Sequence, residues 1–334
     1  MVFYILQLEY YIVSTDMEFK YKLSIIIPVY KVEKFIRSCL ESVAYQECID
    51  NSIYEVIVVN DGSPDNSIGI INTFDWGNVA HSVITQENKG LSGARNTGLD
   101  NAAGEYVWFV DSDDIISPNA VSLIVEKANN SDVINISHSR VIDGAVQVPI
   151  VLQDCATGLE MLKKGFSHEV PFHIFKKKLL IDNGIKFYEG IFHEDSEFTP
   201  RCLYLAEKVV NIQTALYYYN IRGGSIMTVV KSKRAFDYLK VANSLIRFSN
   251  EQGERLTHSP LINTICVCLN NALFIISQGN IEEQIKWNKE FCDQPLFTRA
   301  LKHSSILKYR LEGVIFGIIP ANKIHLYKFI SKFK

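Results

Sequence analysis

The sequence predicts an α/β fold, a mostly parallel, doubly wound sheet flanked by helices, followed by a helical C-terminal region. Three observations carry that expectation. Short, almost wholly apolar runs recur at Leu23–Val29, Tyr54–Asn60 and Glu105–Val110, as in strands buried on both faces. Segments with apolar residues at helical spacing separate them. From about Lys231 onward only the helical period remains.

The elements follow in order. Leu23–Val29 is a strand ending at Pro28, and Val32–Gln46 carries apolar residues at 32, 35, 36, 39, 40 and 43, one helical stripe. Tyr54–Asn60 is halted by Asp61-Gly62-Ser63-Pro64-Asp65, a dense turn signal. His81–Gln86 is a weaker strand, followed by a Gly-containing turn and a helix over Ser92–Ala102. Glu105–Val110 runs straight into Asp111-Ser112-Asp113-Asp114. Ser117 reads as an N-cap with Pro118 at the first helical position of a helix to Ala128. Val133–His138 is another strand, and residues 140–225 mix short strands, turns and a helical piece near 194–206. Helices are expected over 232–250, 259–278 and 281–292, with no internal repeat. The resulting division is an N-terminal extension (1–21), an α/β domain (22–228) with halves 22–115 and 116–228, and a helical region (229–334) ending in a basic tail.

Composition sets bounds on partners and compartment. The chain has 334 residues, 47% hydrophobic and 21% charged, which supports a sizeable core and excludes disorder or a disulfide-stapled miniature fold. A net charge of −3 gives no reason to expect nucleic acid. That average hides a split: residues 299–334 hold eight basic residues against Glu312 alone, +7, leaving −10 elsewhere. The seven cysteines are odd in number, and Cys266 and Cys268 lie as C-V-C in an apolar helical run, so a reduced, cytoplasmic setting is expected. The first 13 residues include Gln7 and Glu9 and lack a basic leader and a cleavage site, so they fail as a signal peptide. Met17 precedes the first orderly pattern, so residues 1–16 read as an upstream start or an appended arm. The apolar run Leu261–Ser277 contains Asn263, Asn270 and Asn271, which favours a buried helix over a membrane span.

Ligands of open α/β sheets bind beyond the carboxyl ends of the strands. Three such ends carry chemistry here: Pro28-Val29-Tyr30, Asn60-Asp61-Gly62-Ser63 and Asp111-Ser112-Asp113-Asp114. Neither G-x-G-x-x-G nor G-x-x-x-x-G-K-[ST] is present, so a bound diphosphate has no glycine cradle and must be neutralised in another way. A divalent metal held by carboxylates is the obvious route, and Asp111 and Asp113, two apart past a strand, can face one side.

The segments YKLSIIIPVYKVEKFIRSCLESV, EVIVVNDGSPDNS and ENKGLSGARNTGLDNAAGEYVWFVDSDD occur in this order, and together they closely resemble family 2 glycosyltransferases of the GT-A fold. The resemblance is continuous over residues 22–130, looser to about 228, and absent from the tail. It implies an inverting enzyme that moves a sugar from a nucleotide donor, with UDP favoured, to an acceptor hydroxyl, using Mg²⁺ or Mn²⁺. Expected partners are a nucleotide-sugar donor and a glycan or lipid-linked glycan acceptor, in surface-polysaccharide assembly.

By that resemblance Pro28 and Tyr30 shape the loop beneath the base, and Asp61 accepts a hydrogen bond from it, as uracil N–H would donate. Asn60 stands where the family often has Asp. Lys89 and Arg95 line the nucleotide, with Ser112 also assigned to the donor. Asp113 is the stronger metal ligand, Asp111 serves ribose as well as metal, and Asp114 is a loop acid beside them. Asp195, in Phe192-His193-Glu194-Asp195, matches the family's general base, with Glu194 in support; alternatively both acids simply favour a helix N-terminus. H-E-D-S-E is not the H-E-x-x-H of zinc proteases. Tyr217-Tyr218-Tyr219 and Arg222-Gly223-Gly224-Ser225 resemble a segment that closes over the ligands, and a core strand with a turn explains them as well.

The tail around Pro320 interleaves lysines with Ile, Leu, Phe and Tyr, as in two short amphipathic helices. It reads either as an anionic-lipid contact at the inner face of the membrane or as a wet helical face packed on the body. Two rivals stand beside the transferase: a sugar nucleotidyltransferase, which would want a Gly-rich loop where Pro28-Val29-Tyr30-Lys31 stands, and a catalytically silent binding module, which would have lost the acids.

Overall fold

A computed structural model describes residues 19–47, 49–151, 153–221, 232–319 and 322–331. Residues 1–16 and Arg222-Gly223-Gly224-Ser225, on which expectations were placed above, lie outside the described residues. The strands are β1 (Tyr21–Val29), β2 (Tyr54–Asn60), β3 (Ala80–Thr85), β4 (Gly104–Phe109), β5 (Ile115–Ile116), β6 (Val133–Ile142), β7 (Ala145–Val146), β8 (His173–Lys176) and β9 (Val209–Ile221). Among the described residues they form one sheet in the order β3-β2-β1-β4-β8-β6-β9-β5, with β7 paired to β6.

β1 runs parallel to both β2 and β4, with Ile26 opposite Ile57 on one side and Phe109 on the other. It is buried from Leu23 to Val29, which is why its sequence shows no alternation. Its side chains still divide by parity. Leu23, Ile25, Ile27 and Val29 join one core with helices α1 (Ile36–Ala44), α2 (Ser67–Asn72) and α4 (Ala120–Lys127), while Ile26 joins the opposite core with α3 (Gly90–Asn101). α3 comes close to the sheet at Gly98, where a Cβ would stand 2.2 Å from Ile26 Cγ2. At the other end of this half, β3 is an edge strand and mostly exposed, so its apolar signal is weak.

Two helix starts require correction, and the mostly parallel sheet takes in an antiparallel strand. β8 enters the sheet antiparallel to both β4 and β6, so the sheet is mixed in its second half. Trp108 on β4 donates its indole N–H to the Pro171 carbonyl (2.8 Å), which pins the turn that delivers this four-residue strand. Ser117 is not a cap. Its hydroxyl donates to Asn119 Oδ1 (2.6 Å), Pro118 lies in the turn, and α4 begins at Ala120. Helix α1 begins at Ile36 rather than Val32; Val32 lies in the preceding turn, its carbonyl accepts from the Ile36 N–H (2.9 Å), and the N–H groups of Val32 and Glu33 donate to Ser67 Oγ (3.2 Å) and Asp65 Oδ2 (3.0 Å) of the next loop.

Helices α5 (Gly158–Lys164), α6 (Lys177–Asp182) and α7 (Glu194–Leu205) are interspersed with the later strands of the sheet. The C-terminal region is α8 (Ser232–Glu251), α9 (Ile262–Ile276), α10 (Ile281–Cys292), α11 (Pro295–His303), α12 (Leu307–Ile318) and α13 (Lys323–Ile330). Its apolar faces merge with the α3 and α7 core into one cluster. The three amides expected to keep α9 inside the protein all find partners: Asn263 Nδ2 donates to Ser305 Oγ (2.8 Å), Asn270 Nδ2 to Glu312 Oε2 (2.9 Å) and Asn271 Nδ2 to Tyr238 Oη (3.4 Å). Among the described residues no helix is long and apolar enough to cross a membrane.

His173 of β8 is fully buried, and its Nε2–H donates to the Ser167 carbonyl (2.8 Å). Burial pushes its pKa down to about 4. The folded chain therefore holds this ring neutral while the unfolded chain protonates it near its ordinary value. That contribution is complete above about pH 6.5 and is lost as the pH falls toward about 4, with a full size of roughly 3 kcal/mol. Urea midpoints for His173→Gln should fall less steeply over this interval than those of the wild type; parallel curves would remove His173 as the cause.

Candidate active site

The loops after β1, β2 and β4 converge at the carboxyl ends of these strands. Pro28 is buried within β1, and Tyr30 is exposed just past it. Lys31 holds a left-handed φ of 57° and donates its N–H to Ser63 Oγ (2.8 Å), tying the first loop to the second. Asp61 is buried, and its Oδ1 accepts from the Lys89 N–H (2.8 Å) and from Gln86 Nε2 (2.7 Å). Gly62 turns the chain at φ 65°, and Asn60 Oδ1 accepts from the Ser63 N–H (3.0 Å). Asp61 therefore fixes the start of α3 through the Lys89 backbone, while the Lys89 side chain stays exposed.

Arg95 lies on α3 and is only 2% exposed. One end of its guanidinium pairs with Asp111 Oδ1 (2.7 Å) and the other with Glu194 Oε1 (2.9 Å). This one side chain joins the acidic loop after β4 to the first turn of α7, residues far apart in the sequence. The planar fork of arginine suits two carboxylates as a lysine would not.

The acidic loop is held from behind. Tyr217 of β9 is buried, accepts from the Asp111 N–H (3.2 Å) and donates to Asp114 Oδ2 (2.7 Å). Asn220 donates its backbone N–H to Asp114 Oδ1 and its side-chain amide to the Asp113 carbonyl (both 2.7 Å). Burial, together with the charges of Asp111 and Asp113, pushes the Asp114 pKa up to about 8. Asp114 is thus an anchor, whereas Asp111 and Asp113 remain half-exposed beside the buried Ser112.

Asp195 sits in the first turn of α7, and its Oδ1 accepts from the Ser196 N–H (2.7 Å). Burial raises its pKa, while the nearby His168 opposes that shift. Glu194 is pushed up to about 7 by burial against the pull of Arg95. The preceding residue, His193, has φ 65°, a conformation that costs energy in a non-glycine residue and often marks functional sites. Its ring stacks on Tyr238 (3.8 Å between centroids, 12°) and receives Arg234 Nε at 3.3 Å, which fixes the path into α7.

The geometry therefore brings Asp111, Arg95 and Glu194 into direct contact and sets Asp195 next to them, while Asp61 and the Lys89 backbone form a second linked pair. Tyr217 lies buried in the core strand β9, the second of the two readings given for its segment, and His193, which had no role of its own, shapes the turn into α7. The position of a hydroxyl behind an acidic loop leaves no mark in the sequence, and His, though enriched at positive φ among non-glycine residues, adopts it too rarely for its identity to signal it. The donors fit a hard divalent cation. Asp111 and Asp113 offer oxygen ligands on an acidic loop, and no three His, Cys, Asp or Glu side chains converge among the described residues. One or two carboxylates completed by substrate phosphates is the arrangement magnesium-type ions favour.

The fold and site define an α/β enzyme of the GT-A type. Residues 24–190 match the family described as Glycosyl transferase family 2, and the chain belongs to that family. It is 34% identical over 245 residues to the uncharacterized glycosyltransferase EpsJ of Bacillus subtilis, covering 69% of this chain and 70% of that protein. It is 35% identical over 228 residues to glycosyltransferase GlyA of Streptococcus pneumoniae, covering 64% of this chain and 32% of GlyA. The crystal structure of Staphylococcus aureus TarS 1–349 in complex with UDP-GlcNAc superposes with a TM-score of 0.72 at 25% identity, covering 93% of this chain and 90% of that one. Full-length TarS, a poly(ribitol-phosphate) β-N-acetylglucosaminyltransferase, is longer, and the sequence match covers 35% of it.

Proposed function

We propose that the protein transfers a sugar from a UDP-sugar to a hydroxyl of a glycan or lipid-linked glycan, by single displacement with inversion, in cell-surface polysaccharide synthesis. The observation that carries this reading is Arg95, which bridges the D-x-D loop and the helix bearing Asp195. It sets a donor-side acid and a candidate base beside one another. The UDP-GlcNAc complex of TarS and the poly(ribitol-phosphate) acceptor in that protein's name support the donor and acceptor classes.

In this reading Pro28, Tyr30, Asp61, Lys89 and Ser112 surround the nucleoside, with Asp61 accepting from the base. Asp195 takes the proton of the acceptor hydroxyl. The acceptor oxygen bonds the anomeric carbon as the bond to the diphosphate breaks, and UDP leaves. Its raised pKa brings Asp195 closer to the range where a general base works well. Asp113 and Asp111 would hold Mg²⁺ or Mn²⁺, which supplies charge neutralisation for the leaving diphosphate. Arg95, also expected on the donor side, pairs with two carboxylates through its terminal nitrogens and so joins the two sides of the cleft. Residues 22–228 form the catalytic domain, and the +7 segment 299–334 rests on the inner face of the cytoplasmic membrane. The nucleotidyltransferase alternative lacks its glycine-rich loop, since β1 ends in Pro28-Val29 and runs directly into Tyr30-Lys31.

Calorimetry with UDP-GlcNAc tests the ligand assignment. Asp113→Ala should weaken donor binding by about tenfold or more in the presence of Mn²⁺ and leave the weak metal-free binding unaltered. An unchanged response to Mn²⁺ would remove Asp113 from the ligands.

A further inference from the structure

Away from the carboxylate cleft, the C-terminal helices surround a second cavity of about 630 Å³. The charged part of its lining is wholly basic, Arg299, Lys302 and Lys323, with Thr298, Asn288 and Asn322 as polar neighbours. Lys323 is only 8% exposed, and its Nζ donates to the carbonyls of Phe316 (2.6 Å) and Ile319 (3.1 Å) at the end of α12. Among the described residues no carboxylate pairs with Lys323, Arg299 or Lys302. A buried cation without a counter-charge is costly, and an anion in the cavity would supply one.

The cavity opens beside an apolar face. Gly317 lines it, with Lys302 lying across so closely that a Cβ at 317 would stand 2.2 Å from Nζ. The next residue, Ile318, is 72% exposed and ends a stripe formed by Leu307 (60%), Leu311 (52%) and Val314 (41%). Steps of four, three and four residues place these side chains on one face of α12. Four apolar side chains turned to solvent need a partner, and the surrounding +7 segment selects an anionic one.

We propose that the basic cavity and the α12 stripe form one docking site for an anionic phospholipid surface, with a headgroup phosphate among Arg299, Lys302 and Lys323 and the stripe at the acyl boundary. The proposal rests on the peripheral-membrane reading above and assigns the contact to particular residues within 299–334.

Vesicle flotation of the full chain tests it, using phosphatidylcholine with and without phosphatidylglycerol. The wild type should float only with the phosphatidylglycerol vesicles. R299E/K302E and, separately, L311S/I318S should each lower partitioning by about tenfold or more, with UDP binding and melting temperature retained. Only R299E/K302E should also weaken binding of soluble glycerol phosphate. If both variants float like the wild type, the contact lies elsewhere in the tail, and this site fails while the membrane reading stands. If the wild type does not float at all, the membrane reading fails with it. Glycerol-phosphate binding by a wild type that does not float would reassign the cavity to a soluble phosphate. A wild-type dimer dissociated by L311S/I318S, without vesicle binding, would reassign the stripe to a second copy of the chain.

Discussion

Asp195→Asn is expected to lower sugar transfer by about 10²–10⁴-fold while leaving donor affinity at its wild-type value. The substitution keeps the size of the side chain and an oxygen able to accept from the Ser196 N–H, so the first turn of α7 should survive. It removes the proton acceptor. The donor-side residues belong to other elements: Asp61 follows β2, and Asp111 and Asp113 follow β4. Initial rates and donor titrations on the same preparation separate the two effects. Equal losses in both would show that Asp195 holds the donor or the fold, and would end its assignment as base.

Arg95→Met should produce the largest change in stability. Methionine replaces the aliphatic stem but stops short of the guanidinium, so a buried cation is lost and Asp111 and Glu194 are left facing one another without it. Removing one partner from a buried ionic cluster typically costs about 3–5 kcal/mol. Urea unfolding would register this as a lower midpoint. Adding Glu194→Gln to Arg95→Met should recover part of the loss, because one of the stranded carboxylates is then neutral. Arg95→Lys should recover less than the wild type retains, since a point charge cannot bridge both acids in the same plane. A full midpoint in Arg95→Met would show that the bridge contributes nothing to the folded state.

The parts of the fold that were legible in the sequence are those where local pattern and tertiary burial agree. β1, β2 and β4 are buried on both faces, so their runs are continuously apolar, and the chemistry-bearing loops follow directly from where those runs stop. α9 was legible for the opposite reason: three amides in an apolar helix imply protein partners, and each has one. The direction of β8 was not legible, because four residues after a proline carry no period and the strand is placed by a contact from Trp108. The start of α1 was hidden as well, since its apolar stripe begins at Val32, in the turn that precedes the helix and is tied to Ser67 and Asp65 of the next loop. At the site, motif order located the acids but not their roles. Arg95 reads as a cation near the donor, and only the three-dimensional arrangement shows it already paired twice. Asp114 reads as a third loop acid, and only Tyr217 and Asn220 show it to be the anchor.

The central claim, that this cleft transfers sugar from a UDP-sugar, is tested most directly by nucleotide release. UDP-, GDP- and dTDP-sugars would be offered in turn with Mn²⁺ or Mg²⁺, with cell-wall glycan as acceptor. The expected result is release of UDP from a UDP-sugar, dependent on the metal and lost in Asp195→Asn. Release of pyrophosphate from a nucleoside triphosphate and a sugar phosphate, with no nucleoside diphosphate from any sugar donor, would contradict it.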